Sequence, residues 1–459
     1  MVDSHKGYMF IRSFLAKHFP KGSLRQRMLG GTLTMLSGTL VAQFSTFVAL
    51  LVSARLLGSV EYGKYGVVQS TLGLLALLAG LGMGLTNRRY VGELRDTDKV
   101  RCGLVIGFST VVTGLTAAVV AAALFVVAPF FSSRVLNAPE LTLVLRLATA
   151  IILFNGLNES QVGVLSGLED FRSITNVNFL RAVATPFLLI GGVVLWQLPG
   201  LVAGMALTAL VTWLVTIALV RSSVGEAGIV VTYKGISQER QIVWRFAIPA
   251  VASGTIFTFV LFAARVIITK YPGGYEQLGI FTAAEQWLVI LALVPGQIVN
   301  VSQPILSNVY ATQDRTRFSR AIVANMGLSV GVAIFFAVII ILIAKPISVL
   351  YGASFVGLSS VIVLVCLTGI LRVFSSSVGT MLVTINRMWA GLWINLLWGA
   401  VFLSVVAILM IRGLTGAYAL GYANIVSYTL QATLVLTIFY RFTKEFWRSP
   451  VQQPFQIDV

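Results

Sequence analysis

Long apolar runs, each close to bilayer-crossing length, leave this chain few folds to adopt. Crossing ~30 Å of hydrocarbon takes ~20 helical residues, and runs of that order lie at about 30–57, 65–85, 102–128, 141–166, 174–195, 199–220, 246–268, 278–304, 321–344, 358–385, 388–411 and 417–440. Backbone N–H and C=O groups in hydrocarbon must be satisfied inside the protein, which a helix does within its own segment. The composition agrees, since 57% of the 459 residues are hydrophobic and 11% are charged, against ~25% charged in soluble domains. The expected fold is therefore an all-α polytopic membrane protein of about twelve transmembrane helices.

A formal charge of +17 would suit nucleic acid if the cations formed a solvated face. Here they punctuate apolar runs, so they report topology, and no nucleic-acid partner is expected. With the N-terminus in the cytoplasm, 23 of the 33 Lys and Arg fall in cytoplasmic segments, while the external loops hold Lys64, Arg134, Lys270, Lys345 and Arg412. This bias places both termini in the cytoplasm. Residues 1–29 form a basic leader, in which Tyr8 to Phe19 reads either as an interfacial helix or as a disordered segment. The first span is too long for a signal-peptide core, so it is expected to be retained.

The sizeable break between spans, 221–245, contains Gly225, Glu226, Lys234, Gly235, Glu239 and Arg240. It reads as a cytoplasmic linker between an N-lobe (30–220) and a C-lobe (246–440), each of six spans, with a cytoplasmic tail at 441–459. Six spans per lobe give both the same orientation, so a repeat would be related by a pseudo-two-fold axis along the membrane normal. The chain carries such a repeat. An apolar run ends in Arg55 and leads to Tyr62-x-x-x-Gly66; a second ends in Arg265 and leads to Tyr275-x-x-x-Gly279. Each Tyr-x-x-x-Gly is expected as a turn. Val162-Gly163 before Arg172, and Val378-Gly379 before Arg387, form a second correspondence.

Enzyme chemistry finds little support. The external loops are short, and no phosphate-cradling glycine loop, paired carboxylates or Ser/His/Asp set occurs. His5 and His18 lie in the leader, and Cys102 and Cys366 show no regular spacing, so neither a metal site, a cofactor nor a disulfide framework is expected. Function should instead reside in the ionisable residues of the spans: Arg55, Arg146, Arg181, Arg265, Arg372, Glu159 and Glu285. Such residues cost roughly 2.5–3.5 kcal/mol at the bilayer centre and less near its faces. Arg55, Arg146 and Arg265 sit near the outer interface, where snorkelling is an alternative to function.

Arg372 lies deeper and shares a helical face with Ser375, Ser376 and Gly379, which suits a cavity lining. Arg181 shares a stripe with Thr175, Asn178 and Thr185, and Glu159 with Asn155 and Gly163. A buried Arg181–Glu159 ion pair and a transport role are both open. Glu285, beside Gln286, suits either a coupling proton or a hydrogen bond to a neighbouring helix. Five arginines against two glutamates leave a cationic excess in the spans, which fits an anionic cargo such as a phosphate or pyrophosphate.

The run Ser53-Ala54-Arg55-Leu56-Leu57-Gly58-Ser59-Val60-Glu61-Tyr62-Gly63-Lys64-Tyr65-Gly66 resembles the opening of Wzx-like polysaccharide flippases, members of the multidrug, oligosaccharidyl-lipid and polysaccharide exporter superfamily. Gly80-Leu81-Gly82-Met83-Gly84 before Arg88-Arg89-Tyr90, Leu278-Gly279-Ile280-Phe281-Thr282-Ala283-Ala284, and Leu350-Tyr351-Gly352-Ala353-Ser354-Phe355 extend the likeness over nearly the whole chain. The resemblance implies a bacterial inner-membrane transporter that moves an undecaprenyl-pyrophosphate-linked oligosaccharide between leaflets by alternating access around a cationic cavity. Lipid-linked oligosaccharide, membrane lipid and other polysaccharide-assembly proteins are its implied partners. Where many relatives carry an Asp-Arg pair, this chain has Ala264-Arg265, so coupling at that aspartate does not transfer. A MATE-like small-molecule exporter and a non-transporting scaffold of a glycan-assembly complex are the alternatives.

Overall fold

The computed structural model describes residues 24–235, 239, 248–312, 314–384 and 388–448. The expected interfacial helix at 8–19 lies outside them. The described chain is helical throughout: α1 (Leu24–Gly80), α2 (Met83–Leu94), α3 (Lys99–Phe130), a π-turn (Phe131–Val135), α4 (Leu141–Gly167), α5 (Phe171–Glu226), α6 (Ile248–Thr269), α7 (Gly274–Ala311), α8 (Arg315–Leu342), α9 (Ala344–Tyr351), α10 (Leu358–Thr384), α11 (Met388–Ile411) and α12 (Gly416–Arg448). The described residues of the expected spans are almost all helical, with a break at Leu81 and Gly82 inside the second. Among the described residues, eight helical stretches are long and apolar enough to cross a membrane, and two of them, Ser37–Leu94 (58 residues) and Phe171–Glu226 (56 residues), have room for two crossings each.

One or two residues break each of these double-length stretches. Gly58 (φ 75°, ψ 171°) turns α1 in a conformation that suits a residue without Cβ, and Trp196 and Gln197 turn α5. Ser59 to Gly66, and likewise Tyr275 to Gly279, are helical. The expected Tyr-x-x-x-Gly turns are therefore opening turns of helices. The reversals are made just upstream, by Gly58 and by left-handed Gly273 (φ 69°).

The chain divides into two compact units. The first comprises Met1–Leu57 and Val68–Thr255; the second comprises Gly58–Val67 and Ile256–Val459. The short segment after Gly58 thus leaves the unit of its flanking residues and packs with the second.

In the first unit, α4 packs against α2, α3 and α5. Small residues permit this, as hydrocarbon-embedded helices associate best where their backbones approach closely. A Cβ on Gly163 would lie 2.8 Å from the Gly84 Cα, and one on Gly192 2.7 Å from the Gly200 carbonyl carbon. Val91, Cys102, Ile106, Val164, Leu165, Ile174, Val220, Val224 and Ile229 form a buried apolar cluster. Helix α5 runs on to Glu226, past the expected start of the linker at 221, and the non-helical residues after Gly228 lie along α3, with Thr232 N–H donating to Gly103 O at 3.4 Å. Gly103 and Gly107 make room, since side chains there would meet the Val230 and Thr232 carbonyls.

The second unit is held by a buried cluster of Leu306, Phe318, Ile322, Val378, Ile394 and Val435. Trp398 stacks between Phe257 and Phe402, with ring centroids 5.1 and 5.4 Å away, and touches Tyr428 at 5.3 Å.

Candidate functional site

The second unit draws three of the sequence motifs into one cluster. Its short segment crosses the start of α7 at two glycines: a Cβ on Gly63 would lie 2.9 Å from Gly279 N, and one on Gly279 3.1 Å from Gly63 N. Helices this close need glycine on both sides. On the flank of the crossing, Arg265 of α6 donates to Gly66 O at 2.6 Å and to the Glu285 carboxylate of α7. Arg265 is 8% exposed, and the Glu285 side chain 26%. Gln286 donates to Tyr62 OH and accepts from Tyr351 OH at 2.9 Å. Phe355 closes the cluster against Tyr62 and Tyr351 at 6.2 and 5.4 Å, and Ser59 N–H donates to Ser354 Oγ at 3.3 Å.

Of the two readings open for Glu285, the geometry gives it a neighbouring-helix partner, Arg265. That pairing was not visible in the sequence, where the two residues lie 20 positions apart on separate helices. Arg372 of the same unit is exposed and lies over the Phe257 ring at 5.6 Å, a cation–π contact. Ser376 is exposed with it, whereas Ser375 is buried and its hydroxyl has no partner among the described residues.

The charges of the first unit are arranged differently. Among the described residues no ion pair joins Arg181 to Glu159, and neither side chain makes a hydrogen bond. The Glu159 side chain lies over two glycines of the α1–α2 corner: Oε2 would be 3.5 Å from a Cβ on Gly80, and Cγ 3.1 Å from one on Gly84. Asn155 is exposed on the same stripe. Asn178 donates to Thr39 Oγ1 at 3.2 Å, while a Cβ on Gly38 would stand 3.0 Å from Thr175 Cγ2, so part of the Arg181 stripe is used for helix packing. Arg146 is exposed over the Phe125 ring at 4.9 Å, and Arg55 is exposed.

Several buried polar contacts were not singled out in the sequence. Asn87 donates to Ser160 O and Oγ at 2.9 and 3.1 Å, and Thr216 donates to Asn158 Oδ1 at 2.7 Å. Neutral polar side chains are common in apolar helices, and nothing in a single sequence separates a bonded asparagine from an exposed one. Asn158 is buried and Asn155, one turn earlier, is not.

One end of the first unit is rich in bonded charge. Asp170 caps α5 through Ser173 N–H at 3.0 Å and accepts from Ser223 Oγ at 2.6 Å. Burial works against its carboxylate, but the bonds from Ser173 and Ser223 and the charge of Arg172 outweigh it, so its pKa lies below the usual value. Arg95 bridges to Glu169 at 2.7 Å and to Gly167 O at 3.1 Å. Arg101 forms a two-pronged bridge to Glu239 at 2.8 and 3.1 Å, which raises the Arg101 pKa. No cluster of His, Cys, Asp or Glu suited to a metal occurs among the described residues.

Comparison with known proteins fits this picture. The family model for polysaccharide biosynthesis proteins matches residues 28–310. An EPS I polysaccharide export inner membrane protein, EpsE, from Ralstonia nicotianae is 22% identical over 311 residues, covering 67% of this chain and 70% of that one. Its namesake from Ralstonia solanacearum is 20% identical over 309 residues, covering 66% and 70%. Among solved structures, an inward-facing multidrug resistance MATE family transporter of the MOP superfamily superposes with a TM-score of 0.72 at 14% identity, over 90% of this chain and 99% of the other. A MOP superfamily transporter from Pyrococcus furiosus, described by the reverse polarity of its binding pocket, gives 0.65 at 14% identity over 92% and 97%. Likeness at such identity speaks for fold alone, and the fold is that of the MATE/MOP transporters. With more than half of its length matched by the family model, this multi-pass membrane chain belongs to the polysaccharide biosynthesis protein family.

Proposed function

We propose that the protein is a non-enzymatic flippase of the bacterial inner membrane, which carries undecaprenyl-pyrophosphate-linked oligosaccharide from the cytoplasmic to the periplasmic leaflet by alternating access. The observation that carries this reading is the set of membrane-depth arginines, Arg181 in the first unit and Arg372 in the second, that no described carboxylate neutralises. An unneutralised guanidinium at that depth is costly unless an anion visits it, and its planar donor set suits phosphate oxygens. Arg146 and Arg55 serve nearer the outer interface. Arg265 is different: Glu285 and the Gly66 carbonyl take up its donors, so we assign it to holding the second unit together. Of the two glutamates, Glu159 is the better candidate for coupling. Asn155 and Ser376 line the path, while Asn178 and Ser375 support it from packed positions.

The relatives point the same way, since the Ralstonia proteins are described as polysaccharide exporters. Multidrug transport by proteins of this fold gives the rival reading, a small-molecule exporter. Reconstitution into liposomes separates them. A fluorescent oligosaccharide on undecaprenyl pyrophosphate should change leaflet when the protein is present, and the same glycan on a neutral lipid should not. Efflux of a cationic dye with no lipid flipping would contradict the proposal, and neither activity would leave a scaffold.

A further inference from the structure

Beside the α2–α4 contact of the first unit lies Arg88, an arginine that hydropathy alone places at the end of an apolar run. Helix α2 turns Gly84, Asn87 and Val91 toward the interior of the unit, where all three are buried. The two hydrogen bonds from Asn87 to Ser160 fix the register of α2 against α4. That register sets Gly84 against the Glu159 backbone, with a Cβ on Gly84 only 2.8 Å from Glu159 O. Arg88 follows Gly84 by one helical turn and is exposed at the rim of this contact. Helical side chains lean toward the N-terminus of their own helix, a direction that from position 88 runs back toward Gly84 and the Glu159 side chain beside it.

Gly80 and Gly84 put no side chain between the two charges. Among the described residues, Arg88 and Glu159 form no ion pair with each other, and neither makes a hydrogen bond, although the field of Arg88 reaches the carboxylate. Four neighbouring cations of this end are committed: Arg95 to Glu169, Arg101 to Glu239, Arg89 to Glu93, and Lys99 to Ala227 O at 2.8 Å. Arg88 combines an uncommitted guanidinium, a glycine-floored notch, and a carboxylate near enough to feel it but not bonded to it.

We propose that the notch over Gly80 and Gly84 is an anion subsite, in which Arg88 binds a phosphate or pyrophosphate group and Glu159 opposes it, easing its release. The inference rests on the flippase reading in naming lipid pyrophosphate as the physiological ligand. The carboxylate gives the two residues opposite effects. Removing Arg88 weakens anion binding. Neutralising Glu159 tightens it and slows departure of the anion, because a repulsive charge beside the site is gone.

The test measures binding of inorganic pyrophosphate to the purified full-length protein by calorimetry, alongside flipping of the lipid-linked oligosaccharide in liposomes. Arg88→Gln is expected to raise the pyrophosphate Kd about 10-fold or more, the range for a lost charge-assisted hydrogen bond, and to raise the KM for flipping. Arg88→Lys should recover part of both. Glu159→Gln is expected to lower Kd and also lower the maximal flipping rate, a split that a merely structural residue would not produce. Arg172→Gln removes the same charge from outside the notch and should leave both unchanged. Asn87→Ala controls for packing, since it breaks the α2–α4 hydrogen bonds and leaves Arg88 in place. Unchanged Kd and KM in Arg88→Gln would overturn the subsite, as would losses matched by Arg172→Gln, or by Asn87→Ala at equal thermal stability. Arg88-dependent pyrophosphate binding in a protein that flips no lipid would retain the subsite and refute the flippase reading. Normal flipping with no effect of Arg88→Gln would do the reverse.

Discussion

A buried cluster of the second unit and the α2–α4 contact of the first use the same residue types in opposite ways. In the second unit, Arg265 and Glu285 meet across two helices, and Arg265 also holds the backbone of Gly66. In the first, Arg181, Arg88 and Glu159 form no ion pairs among the described residues. A paired charge in an apolar helix is satisfied by the protein itself, whereas an unpaired one remains available to a ligand. The difference separates Arg265 and Glu285, which bond to each other, from Arg181 and Glu159, which do not.

The comparison breaks most visibly at the glycine crossing of the second unit. Gly63→Ala would drive a Cβ into the Tyr275 carbonyl and Gly279 backbone, which cannot yield as a flexible side chain can. Overpacking of this kind costs about 1–3 kcal/mol, and the melting temperature in detergent should fall by several degrees. Gly191→Ala in the first unit meets nothing within 4 Å and should move it by about 2 °C at most. Equal shifts would remove the crossing from the account.

The ion pair should weigh at least as much. Glu285→Gln leaves Arg265 charged and nearly buried, and should lower stability by about 3 kcal/mol. Adding Arg265→Gln should recover part of that loss, giving a favourable coupling in a double-mutant cycle. Additive losses would mean that the two charges do not act as a pair.

Sequence reading located the spans well, because apolar length is a one-dimensional property and Leu, Val, Ala and Phe runs carry it directly. The repeated Arg and Tyr-x-x-x-Gly pattern was legible too, but not its geometry. A single residue, Gly58, makes the reversal, so the motif is helix opening rather than turn, and its segment joins the other unit. Partners were the least legible feature. Arg181 and Glu159 looked equally suited to pairing, yet the pair that forms is Arg265–Glu285. Which side chains meet depends on helix rotation and on where glycines let backbones touch, as at Gly63–Gly279 and Gly84–Gly163, and hydropathy encodes neither. Arg88 follows an apolar run and so reads as a loop cation, while its place one turn after the Gly84–Glu159 contact comes from packing.

A smaller effect sharpens the view of the first unit as stabilised by neutral polar contacts. Thr216→Val leaves the buried Asn158 Oδ1 without its donor and should cost about 1–3 kcal/mol, read as a lower melting temperature with flipping per folded molecule unchanged. The smallest concerns Asp170. Its carboxyl pKa is lowered in the folded protein, so its contribution is fully present above the ordinary carboxyl pKa of about 3.9 and is lost as pH falls through the lower folded value. Asp170→Ala should cost about 1 kcal/mol as a lost helix cap, and the gap to wild type should narrow as the pH is taken below 3.9. A gap that widens on acidification would contradict the assignment.

The most direct test of the account compares Arg181→Gln with the double variant Arg265→Gln/Glu285→Gln in liposomes, at matched amounts of folded protein. It measures the initial rate at which the pyrophosphate-linked oligosaccharide changes leaflet. The account predicts that Arg181→Gln loses most of the rate while melting like wild type, and that the double variant flips at close to the wild-type rate despite a changed melting temperature. Normal flipping by Arg181→Gln, with flipping lost in the folded double variant, would contradict it.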